Sequence, residues 1–190
     1  VLQGTIPGTS SSNVVRYFNR FDVNEEVVSS VTRSIYAAGV LYNNTYAYYS
    51  GGMPVPGSFS NNMIYRSTDM FRTWINDVSL PYNIVLHCML AYRDQLHVFS
   101  GISNWHTFTP YHYIFTIGVN GVLSNMQTMG VPALFYRWGA AAVIFKNRFV
   151  MVAGVIDIPT IDTSNNQVWM TSASNVTDWS LVATAPFTPR

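Results

Sequence analysis

The chain has 190 residues, of which 48% are apolar and 15% aromatic but only 10% charged. Globular proteins carry about 25% charge, so the 16 Asn, 18 Ser and 16 Thr must furnish most of the polar surface. Ten basic residues against nine acidic ones, with no basic run, argue against a nucleic-acid binder, and the aromatic content excludes disorder. No apolar run approaches the roughly 20 residues that a membrane-spanning helix needs.

In chain order, residues 1–13 read as a loop-like linker. Residues 14–17 and 26–31 follow as two strands. Residues 36–52 (YAAGVLYNNTYAYYSGG) then reappear in pattern as 86–102 (LHCMLAYRDQLHVFSGI) and 139–155 (GAAAVIFKNRFVMVAGV). The three align without gaps at offsets of 50 and 103. Each has an apolar run, a polar turn (Asn43-Asn44-Thr45, Arg93-Asp94-Gln95, Lys146-Asn147-Arg148), a second aromatic or β-branched run, and a small residue with Gly. Such a pattern predicts a β-hairpin.

After a loop, each hairpin is followed by a second strand pair: 63–67 with 74–78, 113–117 with a strand beginning near Val122, and 168–172 with 179–183. Asn120-Gly121 in the middle pair suits a type I′ turn. The resulting register is a half unit (14–33) and three four-stranded units (34–82, 83–133, 134–190), labelled a to d from the first strand of each.

A period near 50 with four strands per unit matches the kelch-type blade. The chain resembles kelch repeats and the related central domain of galactose oxidase-type proteins, through Gly51-Gly52, Gly101 and Gly154 at the end of strand b and the pairs Tyr65…Trp74 and Trp169…Trp179. Ser67-Thr68-Asp69-Met70-Phe71-Arg72-Thr73-Trp74 also resembles the S-x-D-x-G-x-T-W Asp-box of sialidase-type propellers, with Phe71 in place of Gly. Residues 172–179 form a degenerate copy with Ser174 at the Asp position. These resemblances imply an all-β protein of β-propeller blades, in which the Asp-box stabilises a turn and its Trp wedges between neighbouring blades.

Three and a half blades fall short of the four to eight of closed propellers. The expectation is therefore a segment of a larger propeller, or a chain whose open ends a partner covers; a four-bladed ring, as in hemopexin-like domains, is the geometric alternative. In a propeller the b–c and d–a loops share one face. The loop between the second and third strands of the middle unit is the most distinctive, with Trp105, His106, Tyr111 and His112. Arg137, and Asp157 and Asp162 in the next such loop, complete the candidate ligand residues for a protein or glycan.

No catalytic residue, cofactor or metal site is expected. His106 and His112 lack a Cys or carboxylate at zinc-ligand spacing, His87 and His97 read as strand residues, and the lone Cys88 reads as a buried small side chain. The sequons at Asn43 and Asn175 fall on the face opposite the candidate ligand loops. The function read from the sequence is thus a non-catalytic binding or structural module in an extracellular, cell-surface or particle-surface setting. A fragment of a sialidase-like or other glycan-processing enzyme and a fibre or shell subunit are the alternatives.

Overall fold

The computed structural model describes residues 14–18, 24–28, 35–53, 61–69, 71–103, 107–131, 137–155, 165–172 and 174–186. Those residues form strands, turns and loops and no helix. β3 (Ile35–Tyr42), β4 (Tyr46–Met53), β5 (Met63–Ser67) and β6 (Ile75–Ser79) make an antiparallel meander, here blade 1. Blade 2 comprises β7 (Cys88–Tyr92), β8 (Gln95–Phe99), β11 (Tyr111–Ile117) and β12 (Leu123–Gly130). Blade 3 is β13 (Ala141–Phe145), β14 (Arg148–Val152), β15 (Gln167–Thr171) and β16 (Trp179–Thr184). β1 (Val14–Phe18) and β2 (Asn24–Val28) pair with each other as a separate two-stranded sheet. The chain is all-β, and its described residues form three four-stranded antiparallel propeller blades beside the separate β1–β2 pair. A two-stranded excursion between β8 and β11, made of β9 (Ile102–Ser103) and β10 (Thr107–Phe108), was not expected.

The turns explain why these sequences fold as hairpins. Asn43 and Asn44, Arg93 and Asp94, and Lys146 and Asn147 all take positive φ, from 48° to 61°. That is the type I′ geometry whose twist matches the flanking strands. In blades 2 and 3 the paired residues are Tyr92 with Gln95 and Phe145 with Arg148, closing two-residue loops. In blade 1 Tyr42 pairs with Tyr46, so its loop holds three residues. The gapless alignment is therefore corrected: one residue is inserted in the first turn. A one-residue slip exchanges the faces of a strand, so Tyr48 is the counterpart of His97 and not of Val98. The Asn120-Gly121 turn also departs from expectation. Gly121 alone takes positive φ, and its N–H bonds the Gly118 carbonyl at 2.8 Å. This is a type I turn closed by a glycine bulge, and the aromatic ring of Tyr46 packs where a Gly121 Cβ would stand.

The blades are joined by contacts that repeat. Tyr36, Leu86 and Gly139 occupy the same place before or at the start of the inner strand, all with φ near 60°. Leu86 N–H donates to the Tyr36 carbonyl and Gly139 N–H to the Leu86 carbonyl, both at 2.9 Å. Gly52 N–H likewise donates to Ile84 of the next blade, and Gly101 N–H to Arg137 of the one after. At the other end of the inner strand, Tyr42 OH donates to Asp94.

Apolar side chains fill the two wedges between blades. Ala38, Tyr48, Ile64 and Leu80 of blade 1 pack with Ile84, Met89, Leu96, Val98, Tyr113 and Phe115 of blade 2 and the segment leading into it. Cys88, Leu90 and Phe99 of blade 2 pack on Ala140, Phe149, Met151, Trp169 and Trp179 on the side of blade 3. Trp179 lies 5.3 Å from the Phe99 ring and so wedges between blades as expected. For Trp74 the ring contacts among the described residues include Tyr49 and Phe71 of its own blade.

Candidate functional site

The face that carries the b–c loops is assembled by a motif that the hairpin alignment passed over. Asn61, Thr109 and Asn165 precede strand c in blades 1, 2 and 3, and their N–H groups bond the carbonyls of Gly52, Gly101 and Gly154. The Oδ1 atoms of Asn61 and Asn165 also accept from the N–H two residues on, in Asx turns that start the strand. The following Asn62 and Asn166 bond the backbone of Leu80 and Ala185, fastening the outer strand. The pairs Asn61-Asn62 and Asn165-Asn166 were a visible signal; Thr109-Pro110 in blade 2 hid the repeat.

Arg137 enters this face from the segment before blade 3. It is fully buried, with Nη1 donating to Ala153 O and Asn165 Oδ1 and Nη2 to Gln167 Oε1, at 3.1 to 3.2 Å. Its guanidinium lies 5.3 Å over the Trp169 ring. Burial lowers its pKa to about 10, so it stays charged. Arg137 was read from the sequence as a ligand residue; in this arrangement it orders the base of the third b–c loop from within.

Tyr111 opens strand c of blade 2 and stacks on Tyr82, with ring centroids 6.4 Å apart and planes 7° from parallel. Tyr82 is 49% exposed. The stack stands where the segment leaving blade 1 meets the b–c end of blade 2, with Tyr113 6.0 Å from Tyr111 beneath it. Tyr82 escaped the sequence reading because a tyrosine after Pro81 carries no periodic signal. His112 was expected in the same loop, which is corrected: it lies on β11 and is fully buried. Alternation along the strand points it into the blade 2–blade 3 wedge. Trp105, His106, Asp157 and Asp162 lie outside the described residues, as do residues 1–13.

The buried titratable groups do not make a reaction centre. His97 Nδ1 and His112 Nε2 are 3.0 Å apart among Phe99 and Phe149, and burial lowers their pKa values to about 4 and about 3. His87, expected on a strand, precedes β7 instead, and its Nε2 lies 2.7 Å from Ser50 Oγ. A serine hydroxyl on an imidazole is nucleophile-and-base geometry. Here both are buried from solvent, burial holds His87 down to about 3, and its Nδ1 has no orienting carboxylate among the described residues. Cys88 is buried, donates to Ala140 O at 3.4 Å, and has its pKa pushed up to about 12, so it stays a thiol. Among the described residues no group of three His, Cys, Asp or Glu is placed to hold a metal.

The opposite face carries the a–b and c–d turns. Asp69 accepts from Thr73 N–H at 2.9 Å, from Thr73 Oγ1–H, and from Ser67 Oγ–H at 2.9 Å, while Phe71 N–H bonds Ser67 Oγ. Phe71 sits at φ 71° with its ring buried, so it bears a backbone strain that a glycine would not. In the second copy the acceptor is Asn175 and not the residue aligned with Asp69: its Oδ1 takes Thr177 N–H at 3.0 Å and Thr177 Oγ1–H at 2.7 Å. An open cleft of about 330 Å³ lies between Arg93 and Gln95 of blade 2 and the 174–177 turn of blade 3.

The hydrogen bonds to Asp69 lower its pKa to about 2. Its folded pKa lies below the unfolded value, so the stabilisation is complete above pH ~4 and disappears as pH falls through ~2. Asp69→Ala is expected to cost about 1–2 kcal/mol at pH 7, within the range for lost charge-assisted turn bonds at an exposed site. Urea titration at pH 7 and pH 2 checks this: the difference between wild type and variant should shrink at the lower pH.

No family model matches the chain, and no curated protein matches it in sequence. Among solved structures the chain is similar to one described as "Structure of YjhT", with a TM-score of 0.69 and 10% identity. The likeness is one of fold alone. It covers 93% of this chain but 61% of that one, so the chain spans less than two thirds of the length of the protein it matches. Among the described residues no helix is long and apolar enough to cross a membrane.

Proposed function

We propose that the chain is a non-catalytic binding module of kelch-like blades that presents a glycan or protein ligand to its b–c loop face. The observation that carries this reading is the Tyr82–Tyr111 stack at the b–c mouth, with one ring half exposed above a bed fixed by buried hydrogen bonds. Sugar rings and extended peptides both dock on such rigid aromatic surfaces, where stacking combines with a few orienting hydrogen bonds. The buried histidines and Cys88 support a non-catalytic role, since each is held in its neutral form away from solvent. The ring is completed by further blades or a partner, in an extracellular or surface setting. Glycans on Asn43 and Asn175 would occupy the turn face and leave the b–c face clear. The bonds at Ser67, Asp69 and Thr73 support the Asp-box resemblance as a structural device.

A glycan array probed with the purified chain tests the proposal, with Tyr82→Ala and Tyr111→Ala as variants. Binding to a defined sugar class that falls at least about tenfold in either variant, with thermal stability kept within a few degrees, is the expected result; tenfold is about 1.4 kcal/mol, within the range of one lost aromatic contact. Binding unaffected by both variants would move the site elsewhere. Mass spectrometry of glycopeptides from the native source checks the two sequons, and sugar on neither would remove that element.

A further inference from the structure

On the turn face the two blade wedges are built differently. Between blades 1 and 2, side chains of blade 1 hold the turn that joins β11 to β12. Tyr46 OH donates to Val119 O at 3.2 Å, Tyr48 OH to Gly121 O at 2.6 Å and Arg66 Nη1 to Asn120 O at 3.3 Å. Asp77 pairs with Arg66 at 3.1 Å and accepts from Leu123 N–H at 3.2 Å. The turn is clamped onto the blade before it.

Strand pairing identifies the same positions in blade 2. Tyr46 closes the first hairpin opposite Tyr42, as Gln95 does opposite Tyr92. Arg66 stands across the ladder from Tyr48, as Ile114 does from His97. Gln95 is shorter than tyrosine, His97 is bonded to His112, and Ile114 has no polar group. Among the described residues none of the three bonds the 174–177 turn of blade 3, and the cleft of about 330 Å³ opens at that place. Its size falls at the small end of ligand pockets, which run from about 300 to 1,000 Å³.

The walls of the cleft match one ligand chemistry. Gln95 and Gln127 line it with carboxamides, and Ile114, Met129 and Val176 give it an apolar side. No acidic side chain lines it, which disfavours a cation. Asn175 is also in the wall, and its Oδ1 is taken up by Thr177 N–H and Oγ1–H, leaving Nδ2 for another partner. An acetamido sugar offers an N–H donor, a carbonyl acceptor and hydroxyls to the amides, and a methyl group to the apolar side. Independently, Asn175 heads the sequon Asn175-Val176-Thr177, whose modification places N-acetylglucosamine on that same Nδ2.

We propose that the cleft between blades 2 and 3 on the turn face is a site for one N-acetylated amino-sugar ring, either free or carried by Asn175 itself. In the second case Nδ2 exchanges a proton for the anomeric carbon of the sugar, and the lipid pyrophosphate of the oligosaccharide donor leaves. The ring then stands where the clamp of blade 1 has no counterpart. The inference is independent of ligand binding at the b–c mouth, because it uses the opposite face.

Isothermal titration of N-acetylglucosamine into the 190-residue chain made in bacteria, with both sequons bare, tests it. Saturable one-to-one binding is expected, at least about tenfold tighter than for glucose, which lacks the acetamido group. Gln127→Ala, at an exposed position, should weaken it about fivefold or more. Gln95→Tyr restores the residue of blade 1 and should fill the cleft, abolishing binding without lowering the thermal midpoint. In a chain glycosylated at Asn175, loss of free-sugar binding identifies the attached ring as the occupant, and retention identifies an outside sugar. No saturable binding to the bare chain up to about 50 mM sugar overturns the proposal. So does binding that glucose matches, or that Gln95→Tyr leaves unchanged.

Discussion

Lowering the pH from 7 to 5 is expected to remove most of this protein's stability. His87, His97 and His112 are all buried in neutral form, with pKa values of about 3, 4 and 3 against 6.5 when exposed. Burial is the leading cause in each, and for His112 the neighbouring His97 adds to it. A depressed histidine pKa means that the unfolded chain takes up protons that the folded chain refuses, so stability rises with pH. It is complete above about pH 6.5 and falls as pH drops from there toward 4. By pH 5 each histidine costs about 2 kcal/mol, and three together about 6 kcal/mol, comparable with the total stability of an ordinary domain.

The pair in the blade 2–blade 3 wedge makes the effect hard to escape. One imidazole donates to the other across 3.0 Å, and the outer nitrogens, His97 Nε2 and His112 Nδ1, have no hydrogen-bond partner. A proton added to either ring would put a cation between Phe99 and Phe149 with no counter-charge among the described residues to receive it. Urea titrations at pH 7, 6, 5 and 4 measure the slope. The double variant His97→Leu, His112→Leu should lose about two thirds of it. A wild-type stability that is flat between pH 7 and 5 would show that these rings are solvated.

The second large effect is expected at the glycines that end strand b. Gly51 sits at φ 65°, and a Cβ there would come within 2.4 Å of the Ile84 carbonyl. Gly101 sits at φ 91°, with a Cβ 2.7 Å from the Val85 carbonyl and from His87 Cβ. Neither obstacle is the tip of a flexible side chain, so alanine must displace the segment that carries the inter-blade bonds. Gly51→Ala and Gly101→Ala should each cost about 3–5 kcal/mol, combining φ strain with a backbone clash. Gly154→Ala, where the nearest atom is 3.0 Å away, should cost less. Gly130→Ala meets nothing within 4 Å and should stay within about 0.5 kcal/mol of wild type. Chemical denaturation of the four variants gives the order directly, and equal losses at Gly101 and Gly130 would remove the steric explanation.

The same glycines show how far the sequence could be read. Their recurrence after two β-branched and aromatic runs marked the hairpins, because a hairpin is built from neighbours in sequence and from turn residues whose φ preference is local. That is why the three four-stranded sheets were legible, while the contact of Trp179 with Phe99 bears out its expected place as an inter-blade wedge. The one-residue insertion at Asn43-Asn44-Thr45 was not legible. A gapless match and a match with one inserted residue are equally hydrophobic, and only cross-strand pairing of Tyr42 with Tyr46 separates them.

The candidate site divides along the same line. The amino-acid order by itself determined the four-stranded units, the polar hairpin turns between their first two strands and the small buried role of Cys88, since each follows from residues a few positions apart. Tertiary structure alone decided that His112 faces the wedge and not the loop, that Arg137 is enclosed by Asn165 and Gln167, and that Tyr82 stacks on Tyr111 across 29 residues of chain. Those outcomes depend on which blade faces a side chain meets once the sheets are set around their axis, and a periodic sequence leaves both faces apolar enough to be either.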